Sequence, residues 1–233
     1  MAKKNDKNTK AEENILAVEE ALSSTEQFIE KNQKIIMIIV GALVVVVLGY
    51  FGFIRFYLDP KQEAAQNKIF MAEKYFELDS LDKALNGDGL NPGFLQIIDE
   101  YGFTKAAKLA HYYTGIIYLN KGDFKAAIDH LDKFSSDDVM VKAMAIGATG
   151  DAYMELGDQD KAIKYYLKAA ELNINEFATP TFLMKAGMAS ELKKDYTQAL
   201  KIYERLKKDF PRSNEGRDMD KYITRVKGFS EAK

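Results

Sequence analysis

Residues 35–54 read IIMIIVGALVVVVLGYFGFI, twenty positions without a charge. At about 1.5 Å per residue a helix of that length spans the roughly 30 Å hydrocarbon core of a bilayer. So many β-branched residues suit a water-soluble helix poorly, but in lipid the backbone must satisfy its own hydrogen bonds, and a helix is the structure that does so. Tyr50, Arg55 and Tyr57 mark one interface and Lys31 and Lys34 the other. A cleaved leader would have a basic start and a shorter apolar core, whereas this run begins after 34 residues and continues into Arg55-Phe56-Tyr57-Leu58. The expectation is a permanent single-pass anchor over residues 35–57. Six lysines precede the run, against Arg55, Lys61, Lys68 and Lys74 after it, a bias that favours a cytoplasmic N-terminus.

Before the run, residues 1–10 are polar and lysine-rich and are expected to be disordered. Ile15, Val18, Leu22, Thr25 and Ile29 then recur in steps of three and four among glutamates, the pattern of a short amphipathic helix within a cytoplasmic segment 1–34. Ser24 and Gln27 have capping-box spacing, which would start the membrane helix near Thr25.

After the run the chain repeats itself. Residues 111–134 (HYYTGIIYLNKGDFKAAIDHLDKF), 146–169 (IGATGDAYMELGDQDKAIKYYLKA) and 183–206 (LMKAGMASELKKDYTQALKIYERL) align on Gly115, Gly150 and Gly187, at spacings of 35 and 37. Each glycine is followed by Tyr118, Tyr153 or Ser190, then by a turn at Gly122-Asp123, Gly157-Asp158 or Lys194-Asp195. There Gly provides a left-handed C-cap and Asp an N-cap for the next helix. Ala127, Ala162 and Ala199 permit close helix approach, Leu131, Tyr166 and Tyr203 fill the space between helices, and Pro211 ends the third copy. These residues resemble the tetratricopeptide repeat family, whose period is about 34. The first-helix tryptophan of the family is replaced by His111, Ile146 and Leu183, and its tyrosine by Ser190 in the third copy.

The fold expected is therefore all-α: one N-terminal transmembrane helix, then a tetratricopeptide α-solenoid with a C-terminal capping helix. Residues 58–103 read as a divergent helix pair with the loop GDGLNPG and a short helix FLQIIDEYG, 104–211 as three repeats, and 212–233 as the cap and tail, with an apolar stripe at Met219, Tyr222, Ile223 and Val226.

Chemistry is sparse. There is no cysteine, and the charge of -2 from 33 basic and 35 acidic residues gives no field for nucleic acid. His111 and His130 lack a further ligand at metal spacing, and Asp99-Glu100 and Asp137-Asp138 lie at helix ends or turns. Residues 147–151 (GATGD) lack the Lys-Ser/Thr of a phosphate loop. No catalytic, cofactor, metal or small-molecule site is expected, and no enzymatic activity. By the register of the resemblance, protein binding falls to a concave face of Leu109, Tyr112, Ile116, Leu119, Met144, Gly147, Asp151, Met154, Met184, Met188 and Glu191. Its methionines suit variable apolar segments.

The layout, with TEQFIEKNQK before the span and NPGFLQIIDEYGFTKAAKLAHYYTGIIYLNKGDFKAAIDHLDKF after it, is similar to the YfgM-type ancillary subunits of the bacterial Sec translocon, in a Bacteroidetes branch. The resemblance implies an inner-membrane protein with its repeats in the periplasm, working beside the translocon with a membrane-anchored chaperone of the prolyl-isomerase type. An envelope scaffold serving another complex and a cytosol-facing regulator are the alternatives the residues leave open.

Overall fold

The computed structural model describes the backbone of residues 5–231 and the side chains from Phe28 onward. The chain divides into two units, 1–57 and 58–233.

The first unit is one helix, α1 (Asn5–Phe53). It includes residues 5–10, expected to be disordered, and it runs through Thr25, where a new helix start was expected; neither Pro nor Gly interrupts residues 5–40, and Ala, Glu, Lys and Gln there are good helix formers. Residues 1–4, and the side chains of Ile15, Val18, Leu22, Ser24, Thr25 and Gln27, lie outside the described residues. No residue of the apolar run is buried, and α1 carries the one stretch among the described residues long and apolar enough to cross a membrane. A π-helical turn (Ile54–Leu58) follows. Pro60 gives its cause: proline has no N–H for the carbonyl of residue 56 and its ring crowds that oxygen, so the hydrogen-bond register slips by one.

The second unit is helical throughout: α2 (Asp59–Glu77), α3 (Leu81–Asn86), α4 (Phe94–Tyr101), α5 (Lys105–Asn120), α6 (Phe124–Lys133), α7 (Val139–Glu155), α8 (Gln159–Leu172), α9 (Thr179–Leu192), α10 (Tyr196–Asp209), α11 (Asn214–Arg217) and α12 (Met219–Glu231). Helices α5/α6, α7/α8 and α9/α10 form antiparallel pairs stacked in sequence order, and α12 covers α10.

The pairs are closed by the aligned glycines. A Cβ on Gly115 would stand 2.6 Å from Leu131 Cγ, one on Gly150 would stand 2.7 Å from Tyr166 Cε1, and one on Gly187 would overlap the Tyr203 ring. Opposite them Ala127, Ala162 and Ala199 are fully buried.

The turns share one hydrogen-bond pattern. After α5, Lys121 N–H donates to Ile117 O, Gly122 N–H to Leu119 O and Asp123 N–H to Tyr118 O; the same three bonds recur after α7 and α9. The Asp that follows each then caps the next helix, with Oδ1 accepting from Ala126, Lys161 or Gln198 N–H. Gly122 and Gly157 take φ of +80° and +76°, and Lys194 is forced into the same left-handed region at 64°. The turn after α2 repeats the pattern without a glycine, through Leu78, Asp79 (φ 56°) and Ser80. Ala72 and Ala84, both fully buried, stand where the other pairs carry Gly115 and Ala127. The divergent opening pair is thus a fourth copy of the same geometry. Its second helix stops at Asn86, turns through Gly87 and Gly89, and resumes as α4.

Two cores result. Ile69, Leu85, Phe94, Ile97 and Ile117 form one; Tyr166, Phe182, Leu183, Tyr203, Leu206, Met219, Ile223 and Val226 form the larger, which α12 completes. Between them α6 meets α7 through small patches built on alanines, Ile128 and Leu131.

Two backbone tests follow. Gly187→Ala should destabilise the fold by about 1–3 kcal/mol through overpacking against Tyr203, whereas Lys194→Gly should stabilise it by about 1 kcal/mol by relieving the left-handed side chain. Urea unfolding of both variants, followed by circular dichroism, measures the two shifts.

Candidate binding groove

The first helices of successive pairs, α5, α7 and α9, line one side of the stack. A cleft of about 530 Å³ opens there. Its apolar floor is Tyr112 and Ile116 from α5, Met144 and Ala148 from α7, and Phe182 from α9. Gly147 creates this floor, since a Cβ at that position would collide with the Phe182 ring. The walls come from the loop before α9 (Glu176, Phe177, Ala178) and from residues 212–215 after α10.

Phe177 stands at the mouth, 75% exposed. The loop that presents it is tied down: Asn175 Oδ1 accepts from Phe177 N–H at 2.9 Å and Ala178 N–H at 2.7 Å, while Thr179 Oγ1 accepts from Asn175 N–H and donates to Ala170 O. An aromatic ring left in water by a rigid loop, beside an apolar floor, is preorganised for an apolar side chain from outside.

Asp151 gathers most of the polar contacts inside the cleft. Lys185 Nζ donates to both oxygens of Asp151 at 2.7 and 2.8 Å, and Tyr166 O–H donates to Asp151 Oδ1 at 2.7 Å. Burial, then the Asp151 carboxylate, pushes the Tyr166 hydroxyl pKa up, so it stays a donor. Thr181 O–H donates to Glu215 Oε1 at 2.7 Å, fixing the wall after α10 to α9.

Of the residues expected on the concave face, Tyr112, Ile116, Met144 and Asp151 line the cleft. Leu109 packs on the first core, Leu119 on the small patches beside α6, and Met154 and Met184 on the larger core. Met188 is open to solvent outside the cleft. Glu191 is held at the far end of the stack, accepting from Tyr203 O–H at 2.7 Å and from Arg225 at 2.6 and 3.0 Å. Sequence reasoning missed Phe177, Thr181, Phe182, Lys185 and residues 212–215. One signal was present: Lys185 follows Asp151 by 34 residues, one repeat period, as Arg225 follows Glu191.

The two histidines meet. His111 on α5 and His130 on α6 bring their Nδ1 atoms to 3.0 Å, so one ring donates and the other accepts. The sequence could not show this, because the two stand 19 positions apart with the turn that folds α6 back on α5 between them. Among the described residues no group of three His, Cys, Asp or Glu side chains is placed to hold a metal ion. Burial, then the His130 ring and Lys133, lowers the His111 pKa to about 4; burial and Lys133 lower that of His130, opposed by Asp129.

Models of the tetratricopeptide repeat match residues 143–176 and 182–213, the segments that form α7/α8 and α9/α10. No curated protein matches the chain. The chain carries tetratricopeptide repeats, folded as a solenoid.

The histidine pair gives an acid sensitivity of definite sign. Both rings bind protons less readily in the fold than at the ordinary 6.5, so the unfolded chain takes up more protons as pH falls and stability is lost from about 6.5 down towards 4. Denaturation of the full chain in mild detergent at pH 7.5, 6 and 5 should show that loss, and His111→Phe should flatten it.

Proposed function

We propose that this tetratricopeptide-repeat chain is a membrane-anchored protein–protein interaction module, with α1 as a single-pass anchor, a cytoplasmic N-terminus and the repeats in the periplasm. The observation that carries the reading is the preformed cleft with Phe177 at its mouth, on a chain that also has an uncovered apolar helix. Tetratricopeptide repeats support protein partners in general. The groove takes one apolar anchor side chain of an extended or helical segment over Ile116, Met144 and Phe182. Asp151 and Lys185 are committed to each other and Glu215 accepts from Thr181, so the floor offers shape and apolar area more than free charge.

Within that role we assign the protein to the inner membrane as an ancillary subunit of the Sec translocon, linking it to a membrane-anchored periplasmic chaperone of prolyl-isomerase type or to exported proteins. The layout of the chain and its similarity to YfgM-type subunits support this assignment. An anchored scaffold for another envelope complex has the same fold and is separated from it by partner identity alone.

In-cell crosslinking, mild-detergent purification and mass spectrometry test the proposal. The expected result is recovery of translocon subunits and a periplasmic chaperone. Phe177→Ser, an exposed change that leaves the fold intact, should weaken that recovery on the order of tenfold, about 1.4 kcal/mol, while Met188→Asp outside the cleft should leave it unchanged. Recovery of a different envelope complex would remove the Sec assignment and keep the interaction module; equal recovery with Phe177→Ser would remove the groove. A reporter fused after Lys233 that is active only in the cytoplasm would reverse the topology.

A further inference from the structure

The turn between α4 and α5 holds one residue conspicuously outward. Thr104, the N-cap of α5, is buried and bonded twice within the turn, donating to Tyr101 O at 2.8 Å and accepting from Ala107 N–H at 3.1 Å. Phe103, immediately before it, is 82% exposed. Thr104 N–H is also bonded to Tyr101 O, which fixes the backbone of the turn that carries the ring.

This turn is clamped to the first turn of α2. Lys105 N–H donates to Gln62 Oε1 at 2.9 Å, and Lys61 Nζ donates to Glu100 O at 3.5 Å. Gln62 is five residues beyond Tyr57, the last residue of the expected anchor, and eight beyond Ile54, where the apolar run ends. Five residues reach about 8 Å as helix and at most about 18 Å extended. The interfacial layer on each side of the hydrocarbon is itself about 5–8 Å deep. The clamp between Lys105 and Gln62 therefore keeps the Phe103 turn on a short tether to the end of the anchor. Charge around the turn is mixed, Lys61, Lys105 and Lys108 against Asp59, Asp99 and Glu100, so the fitting surface is the bilayer interface in general and not an anionic headgroup.

We propose that Phe103 rests in the interfacial layer of the bilayer and gives the repeat unit a lipid contact beyond its covalent tether. The inference rests on reading α1 as a membrane anchor. It gives the exposed ring a physical role, since an aromatic side chain gains free energy by leaving water for that layer.

The chain has no tryptophan, so single substitutions make local reporters. Phe103→Trp, Leu90→Trp and Phe53→Trp are each prepared in the full chain, checked for helicity, and reconstituted in phosphatidylcholine vesicles with and without lipids brominated along the acyl chains. Leu90 is as open as Phe103, but its loop is tied by Asp88 to Tyr75, near the other end of α2. The expected result is strong quenching of Phe53→Trp, and a blue-shifted Phe103→Trp quenched severalfold more than Leu90→Trp. Quenching of Phe53→Trp with Phe103→Trp no different from Leu90→Trp would overturn the lipid contact and leave the anchor standing. An unquenched Phe53→Trp would overturn the anchor reading and the inference with it. A Phe103→Trp shielded from aqueous iodide but not reached by brominated lipid would show a protein surface covering it, and would also overturn the proposal.

Discussion

The architecture of the second unit depends on how closely paired helices can approach. Gly115, Gly150 and Gly187 have no side chain where Leu131, Tyr166 and Tyr203 must lie, and Ala127, Ala162 and Ala199 keep the opposite helix equally thin. With the two helices drawn together, the large residue of the second helix fills the gap left by the small residue of the first, at interior packing density. The opening pair solves the same problem with Ala72 and Ala84. Because each pair is set by the same contact, each presents its next face at a similar angle, and stacking then follows from nearest-neighbour burial.

That regularity also organises the polar contacts. Lys185–Asp151, Arg225–Glu191 and Arg205–Glu171 each join residues 34 apart, and Lys193–Asp160 joins residues 33 apart. These pairs are partly or fully exposed and add little to stability; they mark the register of the repeat. The Arg225–Glu191 pair shows what α12 is. It stands toward α9 as α9 stands toward α7, occupying the place of a further first helix; Met219, Ile223 and Val226 face inward and Lys221, Thr224 and Lys227 face outward. A stack capped in this way buries the last apolar face of α10.

The cleft exists because the repeat is imperfect where it matters. In a regular stack the first helices alone would leave a shallow surface. Here Gly147 admits Phe182 to the floor, the Asn175 turn raises Phe177 over the mouth, and the Thr181–Glu215 bond draws the chain after α10 against the opposite wall. The α6–α7 junction is built largely on small residues, Ala127, Ala145, Ala148 and Ala152 beside Ile128 and Leu131.

Local chemistry was legible in the sequence. The apolar run, the Gly-x-x-Tyr spacing, the Gly-Asp turns and the inward stripe of the last helix each state a short-range constraint, and each appears as an uncovered helix, a close contact, a left-handed turn or a cap. The opening pair was legible as a divergent helix pair, but its equivalence to the three repeats was hidden because Ala72 and Asp79 replace the marker glycines and its second helix is broken at Asn86. The continuity of α1 through Thr25 escaped because a capping-box spacing carries no information about whether the preceding residues are already helical. For the groove, the sequence identified the helices that line it and four of its residues, Tyr112, Ile116, Met144 and Asp151. Tertiary structure alone decided the rest. Phe177 and residues 212–215 lie in loops whose position depends on packing between pairs, the His111–His130 contact depends on the fold of one pair, and Glu191 was taken from the concave face by α12. Periodicity determines which side of a helix is buried; only the assembled stack determines what lies opposite it.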